Sequence, residues 1–237
     1  MNTTLTLYHG SSQIIETPEF GLGKEHNDFG LGFYCTESIE LAKEWAVSSI
    51  NNGFCNHYTI DTRSLNVLSL NSPEYTILNW IAVLLRHRIF PVKTPIAGRS
   101  KRYLIENFYV DVNAYDIVIG YRADDSYFDY AEAFVNNALS VNQLAQAMML
   151  GKLGEQFVIK SRFAFSQLLF QGFDLAEKDT YYVLRKVRND EANQSYLKMA
   201  EEDDDGLYVR DIVRGGIKND DPRIPGNLPQ QRNVFNG

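Results

Sequence analysis

Residues 30–45 read Gly30-Leu-Gly-Phe-Tyr34-Cys-Thr-Glu-Ser-Ile-Glu-Leu-Ala-Lys-Glu-Trp45. A glycine turn runs into a short aromatic strand, Leu31–Cys35, and Thr36 is a plausible N-cap for a helix over 37–50. Two large aromatic rings, Tyr34 and Trp45, are thereby placed on consecutive elements. Upstream, Thr4–Tyr8 alternates polar and apolar residues and reads as a strand, and His9-Gly10-Ser11-Ser12 reads as the turn that ends it. Glu16–Asn27 reads as a polar loop.

Downstream, His57–Ile60 and Asn66–Leu70 read as short strands. Pro73 opens a helix to about Arg88, with Ile77, Trp80, Ile81 and Leu84 at helical spacing. Residues 89–101, with Pro91, Pro95 and Gly98, read as a loop; Tyr103–Tyr109 fits either helix or strand. Tyr115–Tyr121 is a buried strand, two helices follow near 127–137 and 141–151, Glu155–Lys160 is a strand, and Ser161–Leu169 is helical. Residues 177–205 form a polar helical stretch. The last ~17 residues, with Pro222, Pro225 and Pro229, suggest a loosely ordered tail.

The chain has 237 residues, 44% of them hydrophobic, enough for one sizeable core or one core with an appendage. A net charge of −7 removes any global basic field for nonspecific nucleic-acid binding. Against it stands a basic stretch, Arg86, Arg88, Lys93, Arg99, Lys101 and Arg102, which can face a phosphate-bearing partner or solvent. Cys35 and Cys55 lack metal-ligand spacing; free thiols in a cytoplasmic protein fit best, with a single disulfide as the alternative. The amino-terminal residues read as no signal peptide. Apolar runs such as Trp80–Leu85 are too short to span a bilayer, so no membrane partner is expected. The Asp124/Asp125 pair lacks accompanying ligands, and no metal is expected.

Seven positions can carry chemistry. His9, beside a glycine at a strand end, can donate to a ribose hydroxyl or simply serve a turn. Gly10 has no Cβ, which lets a flat carboxamide approach its amide, and Ser11 follows it. Tyr34 and Trp45 can wall an aromatic slot, or be core residues. Glu155, opening an apolar strand, can offset positive charge developing on a ribose, or be a solvated surface carboxylate. Gln156 competes for the same place and could hydrogen-bond a ribose without carrying charge.

The order of these signals resembles the ADP-ribosyltransferase superfamily in its His-Tyr-Glu branch, which holds diphtheria toxin and the poly(ADP-ribose) polymerases. Tyr-His-Gly-Ser at 8–11 is similar to the first motif of that branch, Gly-Leu-Gly-Phe-Tyr-Cys-Thr at 30–36 to the second, and Glu-Gln-Phe-Val-Ile at 155–159 to the Glu-bearing strand. Trp45 falls where the second stacking aromatic is kept. More closely, the pattern resembles an uncharacterised bacterial family of that superfamily whose members sit beside small genes in toxin–antitoxin fashion; Asp116–Asp125 and residues 208–212 are part of the likeness.

The resemblance implies an α+β fold with a split β-core of two small antiparallel sheets and surrounding helices. It places a catalytic domain at 1–175 and a polar helical extension with a loose tail at 176–237. It implies a mono-ADP-ribosyltransferase using NAD as co-substrate, with no metal. Glu155, His9 and Tyr34 would be catalytic; His9, Gly10, Ser11, Tyr34, Trp45 and Gln156 would contact NAD. The acceptor would be a macromolecule, protein or nucleic acid, and an antitoxin protein would be a partner. Water as acceptor would make the protein an NAD glycohydrolase, and loss of turnover a binding module. One position departs: Ala42 stands where a carboxamide-binding Ser or Thr is frequent.

Overall fold

The chain, seen as a computed structural model, is described for residues 3–123, 125–150, 154–202 and 204–226, without the side chains of 125–127. Among them run β1 (Thr4–Ser11), β2 (Phe33–Cys35), α1 (Ile39–Ala46), β3 (Gly53–Asp61), β4 (Val67–Ser69), α2 (Ile77–His87), α3 (Pro95–Phe108), β5 (Ile117–Tyr121), α4 (Asp125–Val135), α5 (Val141–Ala147), β6 (Glu155–Ile159), α6 (Arg162–Ser166), β7 (Leu169–Ala176), α7 (Lys178–Glu201) and α8 (Val209–Gly215). The fold is α+β, with two small open sheets ordered β1-β3-β7 and β2-β6-β5-β4.

The first sheet is antiparallel throughout. The second departs from the expected all-antiparallel form, because β4 runs parallel to β5. Their connection explains it: the chain crosses over through α2 and α3, and a parallel neighbour needs such a crossover.

Several local expectations shift for identifiable reasons. His9-Gly10-Ser11 continues β1 instead of turning, because all three pair with Asn56, Cys55 and Phe54; tertiary pairing overrides the local turn preference. The cap of α1 is Ser38, whose Oγ accepts from the Leu41 amide at 3.3 Å, since the Thr36 backbone is taken by Tyr8. The stretch read as a loop at 89–101 holds the start of α3. Thr94 caps it and Pro95 sits in its first turn, where a missing N–H costs nothing. β7, not anticipated, closes the first sheet.

The second sheet separates two cores. Ile117, Phe157, Ile159 and Cys35 pack toward Leu7 and Ile60 of the first sheet. The alternate residues Leu68, Val118 and Val158 face the large core made with α2, α4 and α5. In α2 every residue from Ile77 to Leu85 is buried, more than the single apolar face read from the spacing, as befits a helix enclosed on all sides. Asn79 is tolerated there because its Nδ2 donates to the Phe108 carbonyl at 2.9 Å and its Oδ1 accepts from the Thr76 amide at 2.8 Å.

The expected boundary after residue 175 falls at the end of β7, and the segment beyond is docked on the rest. Arg185 Nη1 donates to the carbonyls of Glu44 and Val47, and Arg188 pairs with Glu44. Tyr196 stacks on Tyr130 at 4.1 Å. Ile224 is buried and Gly226 bridges Thr76. Residues 227–237, which hold Pro229 of the expected tail, lie outside the described residues.

Helix α1 lies flat on the outer face of the first sheet because two facing strand positions are glycine. A Cβ on Gly10 would stand 2.0 Å from the Ala42 carbonyl oxygen, and one on Gly53 2.1 Å from that of Ala46. Backbone cannot yield as a side-chain end would. Gly53→Ala is therefore expected to destabilise the fold by about 1–3 kcal/mol, while Gly226→Ala, with open space at its Cβ, should leave Tm unchanged. Thermal unfolding of both variants checks this; equal Tm values would mean α1 is not seated against the sheet.

Candidate functional site

The sheets touch through one backbone pair. Tyr8 N–H donates to the Thr36 carbonyl at 2.8 Å and Thr36 N–H donates back at 2.9 Å. Past this bridge β1 stays with β3 and β2 with β6, so a split opens between β1 and β2. Backbone direction alternates along an antiparallel strand. Since both polar groups of Tyr8 point toward β2, those of Gly10 point the same way, into the split. The missing Cβ thus serves α1 packing. It leaves the N–H and C=O of Gly10 side by side at the split. Ser11 ends the strand, its Oγ accepting from the Gln13 amide at 3.2 Å.

His9 points to the opposite face from Gly10, stacked on Phe33 with ring centroids 4.2 Å apart. Its Nδ1 lies 2.7 Å from the Tyr34 carbonyl. A carbonyl can only accept, so Nδ1 carries the proton. Burial lowers the pKa of His9 from the ordinary histidine value, with the bond to Tyr34 opposing, which favours the neutral ring and leaves Nε2 as an acceptor.

The pleat separates the two candidates on β6. Glu155 shares its side of the strand with Phe157 and Ile159, which face the first sheet, and sits partly exposed at the strand's open end. Gln156 shares the other side with Val158 and is buried. Its Nε2 donates to Asp28 Oδ2 at 2.9 Å and to the Tyr121 carbonyl at 3.1 Å. Gln156 is thus committed to an internal network and not brought to the split. Asp28 also accepts from the Ala123 amide at 2.9 Å, and the Arg88 guanidinium stands 3.5 Å from its other oxygen. Burial raises the Asp28 pKa, while these donors and Arg122 oppose.

Tyr34 lies opposite Val158 and packs toward the large core. Its hydroxyl donates to the Gly30 carbonyl at 2.5 Å and accepts from the Phe29 amide at 3.1 Å, and burial raises its pKa. The ring is held by the glycine turn that precedes it. Lys160 secures the same turn, donating to the Phe29 carbonyl at 2.6 Å, and burial pushes its pKa down to about 8. Trp45, partly exposed on α1, carries the Arg122 guanidinium 4.0 Å from its ring centroid. Its indole N–H is buried and has no partner among the described residues.

Three residues of this region do not stand out in the sequence: Asp28, Asn71 and Arg122. Asn71 Nδ2 donates to Glu155 Oε1 at 2.7 Å. Each stands at the end of a strand or loop next to apolar residues. A polar side chain in that setting is a signal, but its partner is not visible without the fold.

The basic stretch does not form one patch. Arg88 turns inward to Asp28, and Lys101 lies over Phe90. Arg86 lines a cavity of about 570 Å³ with Glu25, His26, His87, Tyr109, Asp111 and Asn113, placed behind the Gly30 turn and away from the split. His87 in this cavity is pushed down to about 4 by burial, then by Lys160 and Arg86. Cys35 and Cys55 are free and buried. No cluster of metal-ligating side chains occurs among the described residues; Asp124 lies outside them, as does the side chain of Asp125. No helix among the described residues is long and apolar enough to cross a membrane.

The chain matches, over residues 5–170, the family model described as "Protein of unknown function (DUF3990)", and it belongs to that family. The match runs from β1 to the first residues of β7 and so contains all the residues of the split. No curated protein and no solved structure matches the chain.

The two neighbours on β6 should separate in stability. Gln156→Leu leaves a buried carboxylate short of a donor and is expected to cost about 1–3 kcal/mol. Glu155→Gln keeps an acceptor for Asn71 at a partly exposed position and should stay within about 0.5 kcal/mol of the parent. Denaturant unfolding of both variants decides; the reverse order would mean that Glu155, not Gln156, holds the core.

Proposed function

We propose that this protein is a mono-ADP-ribosyltransferase that transfers ADP-ribose from NAD to a macromolecular acceptor and releases nicotinamide. In the same reading it is the toxin of a bacterial toxin–antitoxin pair. The observation that carries the enzymatic reading is the direction of the Gly10 peptide groups. A donor and an acceptor stand side by side in the split, matching the two polar groups of a flat carboxamide. His9 leaves Nε2 as an acceptor beside this opening, and Glu155 lies on the side of β6 that faces the first sheet.

In this reading Gly10 holds the carboxamide, Trp45 stacks on the pyridinium ring, and His9 Nε2 accepts from a ribose hydroxyl. Tyr34 packs toward the large core and holds the glycine turn that backs the slot. The bond from C1′ to the nicotinamide nitrogen breaks with its electron pair going to the ring, which leaves neutral. Positive charge develops at C1′. The Glu155 carboxylate stabilises it and accepts from the neighbouring 2′-hydroxyl. The acceptor's nucleophile then bonds to C1′ and loses its proton. NAD glycohydrolase activity differs only in taking water as nucleophile. A binding module without turnover would be favoured by Gln156 at the opening, and Gln156 is turned into the interior.

The test follows nicotinamide release and macromolecular labelling separately, using NAD labelled in its adenylate half. Glu155→Gln is expected to lower nicotinamide release by about two to three orders of magnitude, the size of one lost transition-state electrostatic contact, while NAD still binds. Trp45→Ala should weaken NAD binding in calorimetry by roughly 2- to 10-fold, as loss of one aromatic stack implies. Absence of nicotinamide release from the parent protein across acceptor mixtures, together with no NAD binding, would sink the assignment. Release without labelling would make it the hydrolase.

A further inference from the structure

Asn71 stands two residues beyond the end of β4, in Val67-Leu-Ser-Leu-Asn71. Its backbone is fixed: the Leu70 amide donates to the Ile119 carbonyl at 2.9 Å, and the Ser72 amide donates to that of Ser69 at 3.2 Å. Ser69 pairs with Ile119 and Tyr121 with Glu155. Continued by two residues, the β4–β5 register brings Asn71 beside Tyr121, so Asn71 and Glu155 flank Tyr121 at one end of the second sheet. The pleat puts both on the side that faces the first sheet. The bond from Asn71 Nδ2 to Glu155 Oε1, at 2.7 Å, is the consequence.

The Asn71 side chain is buried, and its Oδ1 has no partner among the described residues. A half-satisfied buried amide is unfavourable, and an apolar side chain of similar size would suit a purely structural position better. We propose that Asn71 is the positioning residue of Glu155. It holds one carboxylate oxygen and leaves the other for substrate. The inference rests on the catalytic reading of Glu155. A neutral donor suits this role because it stabilises the carboxylate without cancelling its charge, which a paired Arg or Lys would do. Among the described residues, the register places Tyr121 on β5 and Glu37, two residues beyond the end of β2, nearest Glu155, with Arg122 following Tyr121 in the chain.

The experiment titrates the Glu155 carboxylate by carbon NMR in the full chain, for the parent, Asn71→Ala and Asn71→Asp. It also records the pH profile of nicotinamide release. Asn71→Asp, isosteric but charged, should raise the Glu155 midpoint by about one pH unit or more. In catalysis, kcat should fall in Asn71→Ala with KM little changed. In Asn71→Asp the acid limb should move upward, with activity returning at higher pH. If Asn71→Ala fails to fold, the isosteric variant decides alone. An unmoved Glu155 midpoint in folded Asn71→Asp overturns the proposal whatever the activity. A moved midpoint in a parent that releases no nicotinamide supports the Asn71–Glu155 coupling and overturns the catalytic reading instead.

Discussion

Two backbone hydrogen bonds between Tyr8 and Thr36 decide most of what this chain can do. They are the one backbone pair that joins the sheets among the described residues, and beyond them β1 and β2 diverge. Because peptide direction alternates, fixing Tyr8 toward β2 fixes Gly10 in the same sense and His9 in the other. His9 then reaches the Tyr34 carbonyl across the join, which sets its tautomer. A longer ladder between β1 and β2 would have consumed the Gly10 groups and closed the split. A bridge of one pair is the smallest contact that joins the sheets and still leaves these groups exposed.

Behind the split, stability rests on a buried polar network. Asp28 is enclosed, and Gln156 and the Ala123 amide donate to it. Carboxylates in such surroundings are unfavourable unless satisfied. The return is positional: with Phe29 fully buried beside it, the turn before Tyr34 is held to β5 and β6. Glu155 is one residue from this network yet on the other side of the pleat. A strand of period two is what allows neighbours in sequence to take such different positions, one internal and one on the side that faces the first sheet.

The same physics marks what could be read from the residues alone. The strand cores and most helices were legible because their periodicity is local. His9, Gly10, Tyr34, Trp45 and Glu155 stood out as candidates because the stretches that carry them resemble short motifs. Asn71 and Asp28 were not, since their partners lie 84 and 128 residues away, and nothing local distinguishes them from capping or turn residues. Pro95 misled in the opposite way: a helix-starting proline looks like a loop until the cap before it is recognised. The choice between Glu155 and Gln156 needed strand register, which no single strand contains.

The orientation of Trp45 depends on α1, and α1 is restrained from two sides. Beneath it, Gly10 and Gly53 let its backbone settle on the first sheet. Outside it, Arg185 and Arg188 on α7 hold the Glu44 and Val47 carbonyls and the Glu44 carboxylate. Burial raises the Glu44 pKa, and the Arg188, Arg185 and Arg122 charges work against that. The inner restraint lies within residues 5–170, the stretch matched by the family model, and the outer one lies beyond it. The helix that carries Trp45 is therefore seated by residues within the matched stretch and clamped by residues outside it. A change at Arg185 or Arg188 would act on the split through the angle of α1 while touching no group that lines it.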